Sequence, residues 1–205
     1  TAELVASASI TNSTLTQERD RGIYDAMNRA LARATGEYVI FLNAGDALHA
    51  PDTLQKIADC VMDTDFPGIV YGLTDVVDAD GHRLGSRHLD PPEVLTVKAF
   101  RDGMLVCHQA FIALRKLVPQ YNLRYRFSSD YDWCIRVMQH SRRNEYIPEV
   151  LIDYLNVGMT TKHHRRSLWE RFRIMCHYYG TLPTIGRHIG FALRYIKRGG
   201  ESIKK

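Results

Sequence analysis

The sequence predicts an α/β fold: a mixed central sheet flanked by helices, followed by a C-terminal helical tail. Three observations predict it. Over Glu18 to Asp46 an amphipathic helix runs directly into a short apolar strand and an acidic turn. Two β-prone runs, residues 69–77 and 83–89, flank Ala79, Asp80 and Gly81, the pattern of a hairpin that turns at Asp-Gly. Residues 162–205 carry 11 Lys+Arg against 2 Asp+Glu, whereas residues 1–161 carry 16 against 21. The body is thus −5 and the tail +9. Residues 1–161 are read as one catalytic domain, and residues 162–205 as a basic tail that seeks an anionic surface.

In chain order, TAELVASAS reads as the first turns of a helix capped by Thr1. Ile10 to Gln17 is β-prone and half polar, a strand leading into the Asp20-Arg21-Gly22 turn. From Ile23 the apolar positions Met27, Ala30, Leu31 and Ala34 recur at helical spacing, and Gly36 stands where a helix stops. Tyr38 to Leu42 is an unbroken apolar run, as in a parallel strand covered on both faces. Asn43, Ala44, Gly45 and Asp46 then lie beyond the carboxyl end of that strand, where open α/β sheets place ligands. Pro51 and Asp52 start a helix to about Met62, with Leu54, Ile57, Ala58 and Val61 on its packing face. Met104 to Leu114 is apolar except at His108 and Gln109. Ser129 opens a helix, Tyr146 to Leu155 forms a strand, and two tail helices cover about Ser167–Tyr179 and Thr184–Lys197.

Composition excludes several classes. With 205 residues, 45% hydrophobic and 24% charged, the chain can bury one sizeable core. Its four cysteines are widely spaced and form no C-x-x-C pair, so neither a zinc knuckle nor a disulfide framework is expected, and a reducing cytoplasm fits. No apolar run is long enough to span a bilayer. The basic tail lacks the aromatic interleaving and module pattern of a nucleic-acid reader, so no nucleic-acid partner is expected.

The run E-x-D-x-G-I-Y-D-A-M-N from Glu18, the following ATGEYVIFLNAGD, then HQAF from His108 and SSDYD from Ser128 stand in one order over residues 18–132. Together they resemble bacterial family 2 glycosyltransferases, especially the exopolysaccharide, capsule and O-antigen (colanic-acid-type) subgroup. The resemblance implies a GT-A (Rossmann-like) fold, a nucleotide-sugar donor, in particular a UDP-sugar, and a divalent cation, manganese or magnesium. It further implies a first βαβ unit upstream of Thr1 that holds the nucleotide base.

Glycosyl transfer needs the leaving diphosphate neutralised, and a hard cation held by one or two carboxylates does this. Asp46 is the expected metal ligand, with Asn43 standing where the family's Asp-x-Asp turn has its first carboxylate and expected to bind the donor through its ribose or a metal-bound water. Both residues also close turns well. An inverting transfer needs a carboxylate to take the acceptor's proton. The resemblance gives that role to Asp130, while Asp132 is read as a helix cap within a Ser-x-x-Asp capping pattern. Asp20, Tyr24, Asp25 and Asn28 are candidate donor contacts, with an N-cap as the alternative for Asp20 and a helix-to-loop tie for Asn28. His108 and Gln109 are expected to shape the donor or acceptor pocket, against the commoner fate of a satisfied core histidine. Gly158 to Thr161 resembles a small-residue loop, and His163 or Arg165 just after it could reach the diphosphate. The expectation is a cytoplasmic enzyme, peripheral on the inner membrane face, acting on a saccharide or lipid-linked acceptor. The rival is a catalytically silent module that binds membrane or nucleic acid through its tail.

Overall fold

A computed structural model describes residues 13–156 and 164–197. The expected helix at Thr1, the first residues of the Ile10 strand, the Gly158–Thr161 loop and His163 lie outside the described residues.

Among the described residues the strands are β1 (Tyr38–Val39), β2 (Ala47–Leu48), β3 (Ile69–Val77), β4 (Arg83–Ser86), β5 (Phe111–Leu114) and β6 (Asn144–Leu155). They form one sheet in the order β1-β5-β3-β6-β2, and β4 pairs with the end of β3 beyond β5. The sheet is mixed. β3 runs parallel to β6 and antiparallel to β4 and β5. β1 was expected to lie parallel to its neighbour; among the described residues it instead pairs antiparallel with β5, Tyr38 opposite Leu114. Only Tyr38 and Val39 of the apolar run join the ladder, and residues 13–20 form no strand.

Among the described residues five α-helices accompany the sheet: α1 (Ile23–Arg33), α2 (Thr53–Asp63), α3 (Ser129–His140), α4 (His164–Tyr179) and α5 (Thr181–Lys197). The two faces of the sheet bury different side chains, as period-2 alternation requires. Ile69, Tyr71, Phe111 and Ala113 point into the larger core with Trp133, Ile135 and Val137 of α3. Val70, Ile112, Ile147, Leu151 and Ile152 point into the smaller core under α2. Helix α2 meets that core through Thr53, Ile57 and Val61, one residue in four; Leu54 and Ala58, expected on the packing face, are exposed. The fuller stripe was not needed because only one narrow ridge reaches the sheet.

β6 carries three extra residues: Pro148 and Glu149 where Gly72 of β3 faces Ile147 and Leu73 faces Val150, and Leu151 where Thr74 then faces Ile152. A Cβ at Gly72 would stand 2.6 Å from Leu151 Cδ1 and 3.0 Å from the Glu149 carbonyl, so glycine lets the bulge close on the neighbouring strand. Helix α4 is part of the main body, since Ile174, Met175 and Tyr179 lie in the larger core. α5 follows after Gly180, whose φ of 86° turns the chain.

Candidate active site

The turn after β1 is fastened on three sides by a single carboxylate. Asp46 N–H donates to the Asn43 carbonyl at 3.0 Å, closing the turn. Asp46 Oδ2 accepts from Asn43 N–H at 3.2 Å and from Gln109 Nε2 at 2.7 Å. Its Oδ1 accepts from the Leu155 N–H at 3.0 Å, which ties the turn to the end of β6. A carboxylate offers about four lone-pair positions, and protein donors take three of Asp46's here, leaving one on Oδ1. That donor set fits a hard cation that takes a single protein carboxylate and completes its shell with phosphate oxygens and water. Gln109 is buried, and its Oε1 also accepts from the Cys107 thiol at 3.1 Å. It acts on Asp46 rather than standing in open solvent.

The second carboxylate is held differently. Asp130 sits in the first turn of α3, and its Oδ1 accepts from the Tyr24 hydroxyl at 3.1 Å and from the Tyr131 N–H at 2.9 Å. Oδ2 has no protein donor among the described residues. Burial, with Asp130 beside it, pushes the Tyr24 phenol well above its ordinary value, so Tyr24 remains a donor. It brings α1 to the start of α3. Asp132, expected as a cap, is not one: it is buried, taking Arg136 Nε at 2.8 Å and the Tyr178 hydroxyl at 2.9 Å. The N-cap position is Ser128, without a side-chain cap bond, and Ser129 Oγ donates to the Asn122 carbonyl at 2.9 Å. The helix start is served from outside instead. Glu170 of α4 receives the N–H groups of Arg126 (2.9 Å), Phe127 (2.7 Å) and Ser128 (3.0 Å).

Between the two carboxylates lies an aromatic floor. His108 Nε2 is 2.6 Å from the Tyr121 hydroxyl, and its ring stacks on Phe41 with centroids 5.3 Å apart. Tyr121 in turn stacks on Trp133 (5.1 Å, 9°) and on Tyr24 (5.4 Å). Burial pushes the His108 imidazole below its ordinary value, against the opposing pull of Asp130 and Asp46, whose charges both reach it. The floor is therefore neutral, and the negative charge of the site is concentrated on its two sides. Asn28 forms a two-way tie to Tyr121: its Nδ2 donates to the Tyr121 carbonyl at 3.1 Å and its Oδ1 accepts the Tyr121 N–H at 2.6 Å.

The other candidates are placed as follows. Asp25 is buried and paired with Arg21 (3.0 Å) and Arg29 (3.1 Å); the Arg21 guanidinium holds its carboxyl below the usual carboxylate value. Asp20 accepts the Gly22 N–H at 2.9 Å, while Gly22 itself occupies the N-cap of α1. Arg165 is exposed on the first turn of α4 and lines a groove with Trp169. The structure thus brings Asp46, Gln109, His108, Tyr24 and Asp130 together, with Asn28 behind them. Tyr121, Glu170 and the Leu155 backbone were not anticipated. Their roles depend on contacts across 93, 42 and 109 residues, which leave no local pattern to read.

Asp78, Asp80 and His82 form a further group with ligand atoms within 4.8 Å, in the β3–β4 turn. Asp78 Oδ1 there accepts the N–H groups of Asp80 and His82, which accounts for the cluster as a closed turn.

Compared with known proteins, residues 6–119 match glycosyl transferase family 2. The chain belongs to that family. A PGL/p-HBAD biosynthesis glycosyltransferase of Mycobacterium bovis and its counterpart from Mycobacterium tuberculosis are 33% identical over 146 residues, 69% of this chain and 54% of theirs. The chain spans about half the length of these curated relatives. Among solved structures, S. aureus TarS in complex with UDP-GlcNAc superposes with a TM-score of 0.61 at 13% identity, covering 85% of this chain and 54% of TarS. At that identity the likeness concerns the fold, and the fold is the α/β GT-A type expected of a family 2 glycosyltransferase. Asp46 therefore stands within the stretch that matches the family, and Asp130 lies just beyond it in the chain.

Proposed function

We propose that the protein is a cytoplasmic family 2 enzyme that transfers a hexosyl group from a UDP-sugar to a hydroxyl of a saccharide or lipid-linked acceptor in cell-surface polysaccharide synthesis. The transfer is a single displacement with inversion. The observation that carries this reading is the one-sided clamping of Asp130: Tyr24 and the Tyr131 N–H fix Oδ1, leaving Oδ2 as the basic atom. The acceptor oxygen forms a bond to the anomeric carbon as the bond from that carbon to the UDP oxygen breaks, and the acceptor proton passes to Asp130 Oδ2. Asp46 would hold a divalent cation, manganese or magnesium, through the open position on Oδ1, and such a cation neutralises charge on the leaving diphosphate when bound. Gln109 and the Leu155 N–H orient Asp46 for this. The mycobacterial relatives named as PGL/p-HBAD biosynthesis glycosyltransferases and TarS with UDP-GlcNAc support glycosyl transfer from a nucleotide-sugar donor.

Asp130→Asn tests the assignment. The amide keeps the volume and the Tyr24 contact but cannot take a proton. Transfer should fall roughly 10²- to 10⁴-fold, with UDP affinity and melting temperature near wild type. Transfer at the wild-type rate by Asp130→Asn, assayed with a saccharide acceptor, would remove Asp130 as the base.

A further inference from the structure

Helices α4 and α5 are apolar on two faces. The inner face of α4 buries Ser167, Ile174 and Met175 against the body, and Thr184 of α5 is buried with them. A second set faces outward: Trp169 is 61% exposed, Leu182 82% and Ile189 57%, with Leu168 and Ile185 also exposed. On α5, Leu182, Ile185 and Ile189 follow i, i+3, i+7 spacing, one continuous stripe. Arg187 of that helix turns the other way and pairs with Asp102 on the body. A helix that only covered a core would show the reverse. Between the two helices lies a groove of about 380 Å³ lined by Arg165, Leu168, Trp169, Phe172 and His188. Phe172 stacks on Trp169 and meets the His188 ring edge-on, holding the groove open as one surface.

We propose that this α4–α5 face docks on an anionic membrane surface. Charge selects that occupant. Arg165, Arg166 and Arg173 stand exposed beside the apolar stripe, and residues 162–205 are +9 while the rest of the chain is −5. An apolar stripe with a tryptophan and flanking arginines is what an interfacial helix presents to the headgroup and acyl boundary. The surface is also joined to the site. Glu170, next in sequence to Trp169, holds the three backbone N–H groups that lead into α3 and Asp130. Docking of α4 therefore sets Asp130 in a fixed relation to the bilayer. The proposal does not depend on which sugar is transferred, or on whether one is.

The chain has two tryptophans, and Trp133 is fully buried, so a change in emission on binding reports Trp169. Full-chain protein mixed with vesicles of phosphatidylcholine containing phosphatidylglycerol should show a blue shift and protection from acrylamide, with at least about tenfold weaker binding to pure phosphatidylcholine. Trp169→Phe should lose the shift yet still float with the vesicles. The triple change Leu182→Ser, Ile185→Ser, Ile189→Ser, all at exposed positions, should keep the far-ultraviolet dichroism and lose flotation about tenfold or more. Equal binding to neutral and anionic vesicles, flotation unaffected by the triple change, or no shift with either vesicle would overturn the proposal. So would a Trp169 already shielded in lipid-free protein whose mass rises with concentration, which would assign the face to a second copy of the chain.

Discussion

Two carboxylates within one site are prepared for different work by their hydrogen bonds. Asp46 has three protein donors spread over both oxygens and one open position; Asp130 has two donors on one oxygen and keeps the other open. Gln109 is the side chain that makes the first arrangement. Replacing it as Gln109→Leu retains volume but removes a charge-assisted bond worth about 1.5–3 kcal/mol, so UDP binding in manganese should weaken roughly 10- to 100-fold. Calorimetric titration measures this; an unchanged dissociation constant would show that Asp46 does not need Gln109. At this scale the sequence exposes residue types and little else. Asp46 and Asp130 could be singled out because each follows a recognisable local pattern. Of the partners that distinguish them, Gln109 is visible in the sequence as a polar interruption of an apolar run and Tyr24 as a candidate donor contact, and neither shows there as the partner of a carboxylate. Asp132 reads as a cap for the same local reason, whereas its partners are Arg136 one turn on in α3 and Tyr178 on α4.

The turn from Asn43 to Asp46 behaves as a unit because Gly45 permits it. Its φ is 95°, and a Cβ there would lie 2.3 Å from Leu155 Cδ2 and 3.3 Å from Leu155 Cβ. Gly81 has a similar φ of 83° with open space around it, and so separates the two costs. Gly81→Ala should cost about 1 kcal/mol, and Gly45→Ala about 2–3 kcal/mol with loss of cation-dependent UDP binding, both readable by thermal unfolding and titration. Equal losses of stability at the two positions would show that contact with Leu155 does not matter. Element types were well marked in the sequence: α1, α2, α3 and the β3–β4 hairpin fall within a few residues of where helical spacing and the Asp-Gly turn put them. Their faces were less well marked. Leu54 sits at a core spacing on α2 yet faces water, because which ridge meets the sheet is decided by β6 and not by the helix.

At the scale of the molecule, the order of strands was the least legible feature. A mixed sheet followed from one buried strand and one hairpin, but neither states that β1 would pair with β5 or that β2 would join the far edge through β6. Those pairings link distant segments, and no short-range pattern encodes them.

The parallel pairing of β3 with β6 has a consequence in time. It joins residues 69–77 to residues 144–155, whereas β4 and β5 reach β3 by shorter connections. Closing the longer loop costs more entropy before any contact repays it, so β6 should dock after the antiparallel strands have assembled. Leu155 sits at the last residue of that late strand and supplies a donor to Asp46. Ile152→Val in the fully buried part of β6 should then speed unfolding in a stopped-flow experiment by most of its 0.5–1.5 kcal/mol cost, about, and leave the folding rate nearly unchanged. Slowed folding with unaltered unfolding would place β6 in the nucleus instead. On the expected order, the chain collapses first into a sheet in which Asp46 is not yet fastened, and the arrangement proposed to bind a nucleotide sugar is completed only when β6 docks.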